Sequence, residues 1–149
     1  MYEKYTHQSL PQKEYRELLG TAIYVFNSNN AFIIENILKN DENEKFTWYK
    51  LIDLTSGTLK PIIKKTILKE AVKQKKKKLG NEIIDLFQKL VDTRNRIIHS
   101  FSITDSSGDQ ILATKDKKNE QFKISKKLLM TFIEDNDELS SLLHEFRGY

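Results

Sequence analysis

The residues most able to do chemistry lie close together, at Asp92, Arg94, Asn95, Arg96 and His99. On a helix, which turns about 100° per residue, Asp92, Asn95, Arg96 and His99 form one stripe because they are spaced three and four positions apart. Arg94 lies beside this stripe, and its long side chain can run over apolar surface and present its charge at the edge. An imidazole, a guanidinium and an amide on one rigid surface can bind and cleave a phosphodiester.

Cleavage of RNA without a metal ion uses the neighbouring 2′-hydroxyl as the nucleophile. One group must accept its proton and another must protonate the leaving 5′-oxygen, and histidine suits both tasks because its unperturbed pKa is about 6.5. Arg94 can stabilise the negative charge of the transition state with its forked donors. Asn95 can orient the imidazole of His99 or contact the scissile phosphate, and Arg96 can make a second phosphate contact. Because one histidine serves two proton transfers poorly, we expect a homodimer that supplies two.

A purely structural interpretation of the same residues stays open. Arg96 can form an i,i+4 ion pair with Asp92, and His99 can interact with the negative end of the helix dipole. The other side of the helix is apolar and is expected to face the core through Leu90, Val91, Ile97, Ile98 and Phe101.

The order Arg94-Asn95-Arg96-Ile97-Ile98-His99 resembles the signature of the HEPN superfamily (higher eukaryotes and prokaryotes nucleotide-binding), in which an arginine precedes a histidine by four to six residues at the end of a core helix. The resemblance implies a helical bundle and a metal-independent endoribonuclease without a cofactor, whose active site is completed across a homodimer. It also implies RNA as substrate, a toxin or antiphage-defence role, and a possible antitoxin or regulatory protein partner. An inactive HEPN-like module that binds RNA or nucleotide, or that regulates a partner, is the alternative.

Phe101 departs from one branch of this superfamily. In some HEPN toxins a tyrosine two positions after the histidine accepts the nucleotide that silences the toxin. Phenylalanine has no hydroxyl, so that form of control is not expected here, whereas catalysis is unaffected.

Composition predicts a single domain spanning residues 1–149, with a formal charge of +4 and a pI near 9.1 that favour a polyanionic partner. Cysteine is absent, which excludes disulfides and cysteine metal sites and is expected of a cytoplasmic protein. The N-terminus has no cationic start that leads into an apolar run, so no signal peptide is expected. No apolar run approaches the roughly 18–20 residues of a membrane span, so no membrane association is expected either.

Two prolines and five glycines favour long helices. We predict an all-α, HEPN-like up-and-down helical bundle with a small β-hairpin insertion before the C-terminal helix. The predicted helices run from near Pro11 to near Asn40, through residues 46–54 with Thr47 as cap, from a cap at Thr58 into the lysine run with Gly80 closing it, and from about Asn81 through the motif.

The hairpin is predicted within about residues 103–124, with strands at Gln110–Thr114 and Gln121–Ile124, because turn residues separate two β-prone runs. Ser125 then caps a closing helix, which Asp135-Asn136-Asp137 is expected to interrupt.

A run of lysines is the second candidate for contact with a substrate. We predict that Lys75, Lys76, Lys77 and Lys78 bind the RNA backbone, because clustered positive charge neutralises phosphates. The alternative is a solvated helix end at which the dipole favours cations.

Overall fold

The computed structural model describes residues 1–148, of which about two thirds are helical. The chain is therefore mostly helical, although a small sheet makes it more than an all-α bundle. Its helices are α1 (Lys13–Lys39), α2 (Trp48–Asp53), α3 (Leu59–Ile63), a π-helical turn (Lys64–Leu68), α4 (Lys69–Lys73), α5 (Lys77–Ile98) and α6 (Lys126–Arg147), with short 3₁₀ turns at Tyr2–Tyr5 and Ser56–Thr58.

The sheet is an antiparallel meander of β1 (Phe101–Thr104), β2 (Gln110–Lys115) and β3 (Gln121–Ile124), in the order β1-β2-β3. The predicted hairpin is confirmed as β2 and β3, but the prediction missed β1. The turn before β2 is held by the carboxylate of Asp105, which accepts hydrogen bonds from the amides of Ser107 and Asp109 at 2.9 Å. Gly108 adopts a φ of 85° there, a conformation that favours glycine.

The first and last helices lie side by side and run in the same direction. Lys126 Nζ is 2.7 Å from the carboxylate of Glu14 near their first turns, and Arg147 Nη1 is 3.4 Å from that of Glu35 near their last turns. Helix α5 runs the opposite way, since the sheet links its end to the start of α6. The core between these three helices contains one phenylalanine from each, with the ring of Phe26 at 6.3 Å from Phe87 and 6.1 Å from Phe132.

One buried asparagine from α1 and one from α6 form a hydrogen-bonded contact between the two helices. Asn29 Nδ2 donates to the backbone oxygen of Asn136 at 2.7 Å and to its side-chain oxygen at 2.9 Å, and both residues are buried. The prediction of one continuous first helix is confirmed. Of the polar stretch at its middle, Asn29 makes this contact, whereas Asn27 and Ser28 are exposed. The predicted interruption of the last helix is wrong: Asn136 lies inside α6 and donates its side-chain amide to Phe132 O at 2.9 Å.

The predicted caps have mixed outcomes. The hydroxyls of Thr47 and Ser125 accept from the amides of Lys50 and Leu128, as expected of N-caps. Thr58 does not cap α3, because its hydroxyl donates to Thr55 O at 2.7 Å instead.

The lysine run is a break between helices, and Gly80 does not close the helix that precedes it. Helix α4 ends at Lys73, Lys75 takes a left-handed φ of 59°, and the amide of Lys76 donates to Ala71 O at 2.7 Å. Helix α5 thus begins about one turn earlier than predicted, and Gly80 lies inside its first turn. A Cβ there would lie 2.8 Å from Leu68 Cδ1 and 3.0 Å from Ala71 Cβ, so glycine permits the two helical segments to approach closely.

Tyr15 of α1 fixes the sheet to the bundle. Its hydroxyl donates to Ile124 O at 2.6 Å and accepts from the amide of Leu112 at 3.1 Å, and these two residues face each other across β2 and β3. Burial raises the pKa of Tyr15, which keeps the donating proton in place. Within residues 1–148, no helix is long and apolar enough to cross a membrane.

Candidate active site at the end of α5

The last two turns of α5 hold the candidate residues on a well-anchored backbone. Leu90, Val91 and Ile97 are almost fully buried, as predicted, and they fix the rotation of the helix against the core. The same prediction is wrong for Ile98 and Phe101, whose exposed fractions are 49% and 43%. The helix ends at Ile98 and Phe101 begins β1, so neither side chain continues the buried face of the helix.

Arg94 is half-buried, and its guanidinium is braced on two sides. Its Cζ lies 5.6 Å from the centre of the Phe26 ring, and its Nη1 donates to Asn95 Oδ1 at 3.2 Å. Stacking of a guanidinium on an aromatic ring contributes roughly 0.5–2 kcal/mol, depending on its desolvation. The charge of Arg94 is therefore held in a fixed position at the edge of the core.

His99 is exposed and forms the C-cap of α5, where its backbone amide donates to Asn95 O at 3.0 Å. Ser100 Oγ donates to Ile97 O at 2.6 Å and helps to close the helix end. Within residues 1–148, no side chain hydrogen-bonds the imidazole. One of the two roles predicted for Asn95 was to orient His99. The side-chain oxygen of Asn95 instead accepts a hydrogen bond from Arg94 and orients that guanidinium.

Arg96 has a different partner from the one that the structural interpretation expected. Its Nη1 donates to Lys115 O at 2.7 Å, at the end of β2, whereas the carboxylate of Asp92 accepts from Gln88 Nε2 at 3.1 Å. The fork of Arg96 thus ties the end of α5 to the sheet. A guanidinium has five donors, so this contact leaves others for an anionic ligand.

An open cleft of about 400 Å³ lies between this part of α5 and the turn that joins β2 to β3. Its walls include Asp116, Lys117 and Phe122, which sequence reasoning did not connect with the site. No local signal could have placed them there, since the meander folds back onto α5 through contacts distant in sequence. Asn95 and Arg96 line the cleft from the helix, together with Asp92 and Thr93.

The predicted phosphate-binding lysines are not beside these residues. Lys75 and Lys76 lie in the break before α5, and Lys77 and Lys78 lie in its first turn. The 22 residues of α5 span about 33 Å at 1.5 Å per residue, so the lysines and the motif lie at opposite ends of one helix. The chain therefore presents two separate cationic regions.

Among residues 1–148, no group of three or more histidine, aspartate or glutamate side chains is arranged to hold a metal ion. His144 lies elsewhere, with its ring centre 4.9 Å from that of Phe32. Comparisons with protein-family models, with curated proteins and with solved structures found no match. The residues of α5 and their geometry therefore carry the functional argument.

Proposed function

We propose that the chain is a HEPN-like, metal-independent endoribonuclease, with an active site formed by the motifs of two protomers. The observation that carries this proposal is the end of α5, where a braced arginine and an exposed histidine stand five positions apart on a helix anchored in the core. Such a surface is built before substrate arrives, which is what electrostatic stabilisation of a transition state requires.

Each side chain takes a role that its surroundings support. Arg94, fixed by Phe26 and Asn95, stabilises the charge that develops on the phosphoryl oxygens. Arg96, tied to the sheet by one donor, binds a flanking phosphate with the others. His99 is accessible to solvent and to substrate, and it accepts or donates a proton.

The reaction balances with two imidazoles. One neutral His99 accepts the 2′-hydroxyl proton while the 2′-oxygen forms a bond to phosphorus. The bond from phosphorus to the 5′-oxygen breaks, and His99 of the second protomer, in its protonated form, gives its proton to that oxygen. The products are a 2′,3′-cyclic phosphate and a 5′-hydroxyl, and no metal ion or cofactor takes part.

The surroundings of His99 support a homodimer. Ile98 and Phe101 flank the histidine in sequence and are 49% and 43% exposed. Large apolar side chains beside a polar site are typical of protein interfaces, because a second chain can cover them. A two-fold interface at this position would bring the two copies of the motif together.

The direct test is incubation of the purified chain with RNA in EDTA. We expect wild type to cleave, and His99→Ala to lose at least 100-fold in rate, since general acid–base catalysis contributes about 10²–10⁴-fold. His7→Ala is the matched control, because His7 is exposed and lies outside the motif. Cleavage that EDTA abolishes, or that survives in His99→Ala, would contradict the proposal.

Mixing variants tests the composite site. With a threefold excess of His99→Ala and free exchange of subunits, about one quarter of the wild-type protomers remain in wild-type homodimers. If both histidines are needed, the activity per wild-type protomer falls to that fraction. Activity that does not change on mixing would mean that each protomer works alone.

A non-catalytic module that binds RNA or nucleotide, or that regulates a partner protein, is the second candidate. The observation that favours it is that no side chain orients the His99 imidazole within residues 1–148, whereas the two arginines are firmly positioned. Tight RNA binding without cleavage, with Arg94→Ala and Arg96→Ala weakening binding, would support this candidate.

The resemblance to HEPN proteins extends the proposal to a cytoplasmic toxin or antiphage-defence effector, restrained by an antitoxin or regulatory protein. Induced expression in a bacterial host tests this setting. Wild type is expected to arrest growth, and His99→Ala is expected to have no effect. Equal growth of both strains, with equal amounts of protein, would contradict a toxin role.

A further inference from the structure

The charge of this chain is distributed very unevenly. Residues 59–80 contain nine lysines and a single acidic residue, Glu70, which gives this segment a net charge of +8. Since the whole chain carries +4, the remaining residues together carry −4. A basic segment on an otherwise acidic protein is the charge distribution expected of a site that binds a polyanion.

The fold turns these lysines outward. Four apolar side chains of the segment, Leu59, Ile63, Ile67 and Ala71, are fully buried, whereas Val72 is 49% exposed. The eight exposed lysines are called the basic surface here: Lys64, Lys65, Lys69, Lys73, Lys75, Lys76, Lys77 and Lys78.

The position of the basic surface has an electrostatic cost for the fold. Lys77 and Lys78 lie in the first turn of α5, at the positive end of the helix dipole, where cations are unfavourable. The side chain of Lys78 is 92% exposed, and its Nζ is 3.8 Å from Glu82. An exposed pair of this kind contributes little to stability. A bound anion would relieve this repulsion.

One carboxylate of the chain pairs with two lysines of the basic surface. Glu42, in the loop after α1, places one oxygen 2.6 Å from Lys73 Nζ and the other 3.2 Å from Lys69 Nζ. All three side chains are more than half exposed, so the carboxylate can leave without unfolding the core. The hydrogen bonds from Lys73 and Lys69 hold the pKa of Glu42 below its usual value, because they stabilise the charged carboxylate.

We propose that the basic surface binds the phosphate backbone of an RNA strand, and that Glu42 occupies the position of one phosphate until the strand displaces it. The choice of RNA rests on the proposed function. A membrane surface fits less well, because most of the apolar side of the segment is buried in the core and cannot enter a bilayer.

The test measures binding separately from cleavage. His99→Ala protein, which does not cut, is titrated into a fluorescein-labelled 20-nucleotide RNA of low structure in EDTA, and anisotropy is recorded from 50 to 500 mM salt. The plot of log Kd against log salt gives the number of phosphates neutralised, at about 0.7 per contact for a single strand.

Replacement of Lys75, Lys76 and Lys77 by glutamine is expected to lower this slope by about 2 and to weaken binding on the order of 100-fold at 0.1 M salt. The Lys64→Gln, Lys65→Gln pair, outside the break, provides a second variant if the first folds poorly by circular dichroism. Lys4→Gln, Lys13→Gln and Lys127→Gln together remove the same charge from other exposed positions and form the matched control. Equal losses in the control and the test variants would overturn the proposal.

Glu42→Gln is the sharper test, because it is expected to strengthen binding. It removes the competing carboxylate, so the strand no longer has to break two exposed ion pairs, and affinity should rise roughly tenfold at 0.1 M salt. The salt slope should stay close to that of wild type, because the same phosphates are neutralised. Glu44→Gln removes the same charge from the same loop, but within residues 1–148 Glu44 makes no ion pair. A Glu42→Gln variant that binds RNA no better than Glu44→Gln would refute the displacement.

The outcomes separate this inference from the proposed function. RNA that binds as described but is not cut by wild type contradicts the endoribonuclease and leaves the basic surface intact. Cleavage by wild type with unchanged binding in all lysine variants contradicts the basic surface alone. Binding to vesicles of anionic phospholipid in preference to RNA would overturn the choice of ligand.

Discussion

The contact between Asn29 and Asn136 offers a quantitative test of how α1 and α6 are joined. Asn29→Leu removes two donated hydrogen bonds, at 2.7 and 2.9 Å, and leaves the Asn136 side-chain oxygen buried without that donor. Loss of one partner from a buried hydrogen bond costs about 1–3 kcal/mol, because the desolvation of the remaining group is no longer compensated. With both bonds lost, we expect the free energy of unfolding to fall by about 2–3 kcal/mol.

The double variant distinguishes this reasoning from a simple packing defect. When Asn136 is also replaced by leucine, both sides of the contact become apolar and similar in shape. The double variant should therefore be about 2 kcal/mol more stable than the sum of the two single losses predicts. Urea unfolding followed by circular dichroism measures all four proteins at one concentration, since dimerisation would make stability depend on concentration.

The control is Asn27→Leu, at an exposed position of the same stretch of α1. Its free energy of unfolding should remain within about 0.5 kcal/mol of wild type. Additive effects of Asn29→Leu and Asn136→Leu, or single losses no larger than that of Asn27→Leu, would refute the interpretation of this contact.

Three further predictions follow from the packing and charge described above. Gly80→Ala is expected to lower the free energy of unfolding by about 1 kcal/mol, because the new Cβ would lie 3.0 Å from the Cβ of Ala71. This overpacking outweighs the gain in helix propensity. A denaturation midpoint equal to or above that of wild type would contradict the prediction. Ser125→Ala removes the N-cap of α6 and should cost about 1 kcal/mol by the same measurement, whereas Ser125→Asp should retain most of it. If each motif works with the basic surface of its own protomer, about 33 Å away, a stacked strand needs roughly ten nucleotides to reach both. Glutamine at Lys75–Lys77 should then slow cleavage of a 20-nucleotide RNA but not of a hexanucleotide, and equal slowing of both would contradict a separate site.

The sequence predicted the elements more successfully than their ends. The length of α1 follows from apolar periodicity and from the scarcity of glycine and proline. Thr47 and Ser125 signal the starts of α2 and α6 through local capping. The predicted interruption at Asp135–Asp137 failed because poor helix formers were interpreted as a break. A polar residue in mid-helix is equally well explained by a buried partner on another helix, and only the fold shows that Asn29 and Asn136 meet.

The candidate site divides in the same way. Helical periodicity correctly placed Asp92, Asn95 and Arg96 on one side of α5, where all three line the cleft, since that relation depends on the helix alone. It could not show that Arg94 stacks on Phe26 or that Arg96 donates to Lys115 O, because these contacts join segments far apart in the chain. The same limit explains the exposure of Phe101, which a helical extrapolation assigned to the core but which belongs to a strand.

The parallel pairing of α1 with α6 has a consequence for the order in which the chain can fold. Tyr15 bonds to Ile124 across 109 positions, and Asn29 bonds to Asn136 across 107, so the first helix finds its main partner only when the last one has been made. Contacts this distant close slowly, because the entropy of a long loop is lost before the contact is gained. During synthesis the face of α1 that contacts α6 therefore stays exposed until α6 has been made. In a ribosome-bound chain that ends before α6, α1 should be cleaved by protease faster than in a chain that includes α6.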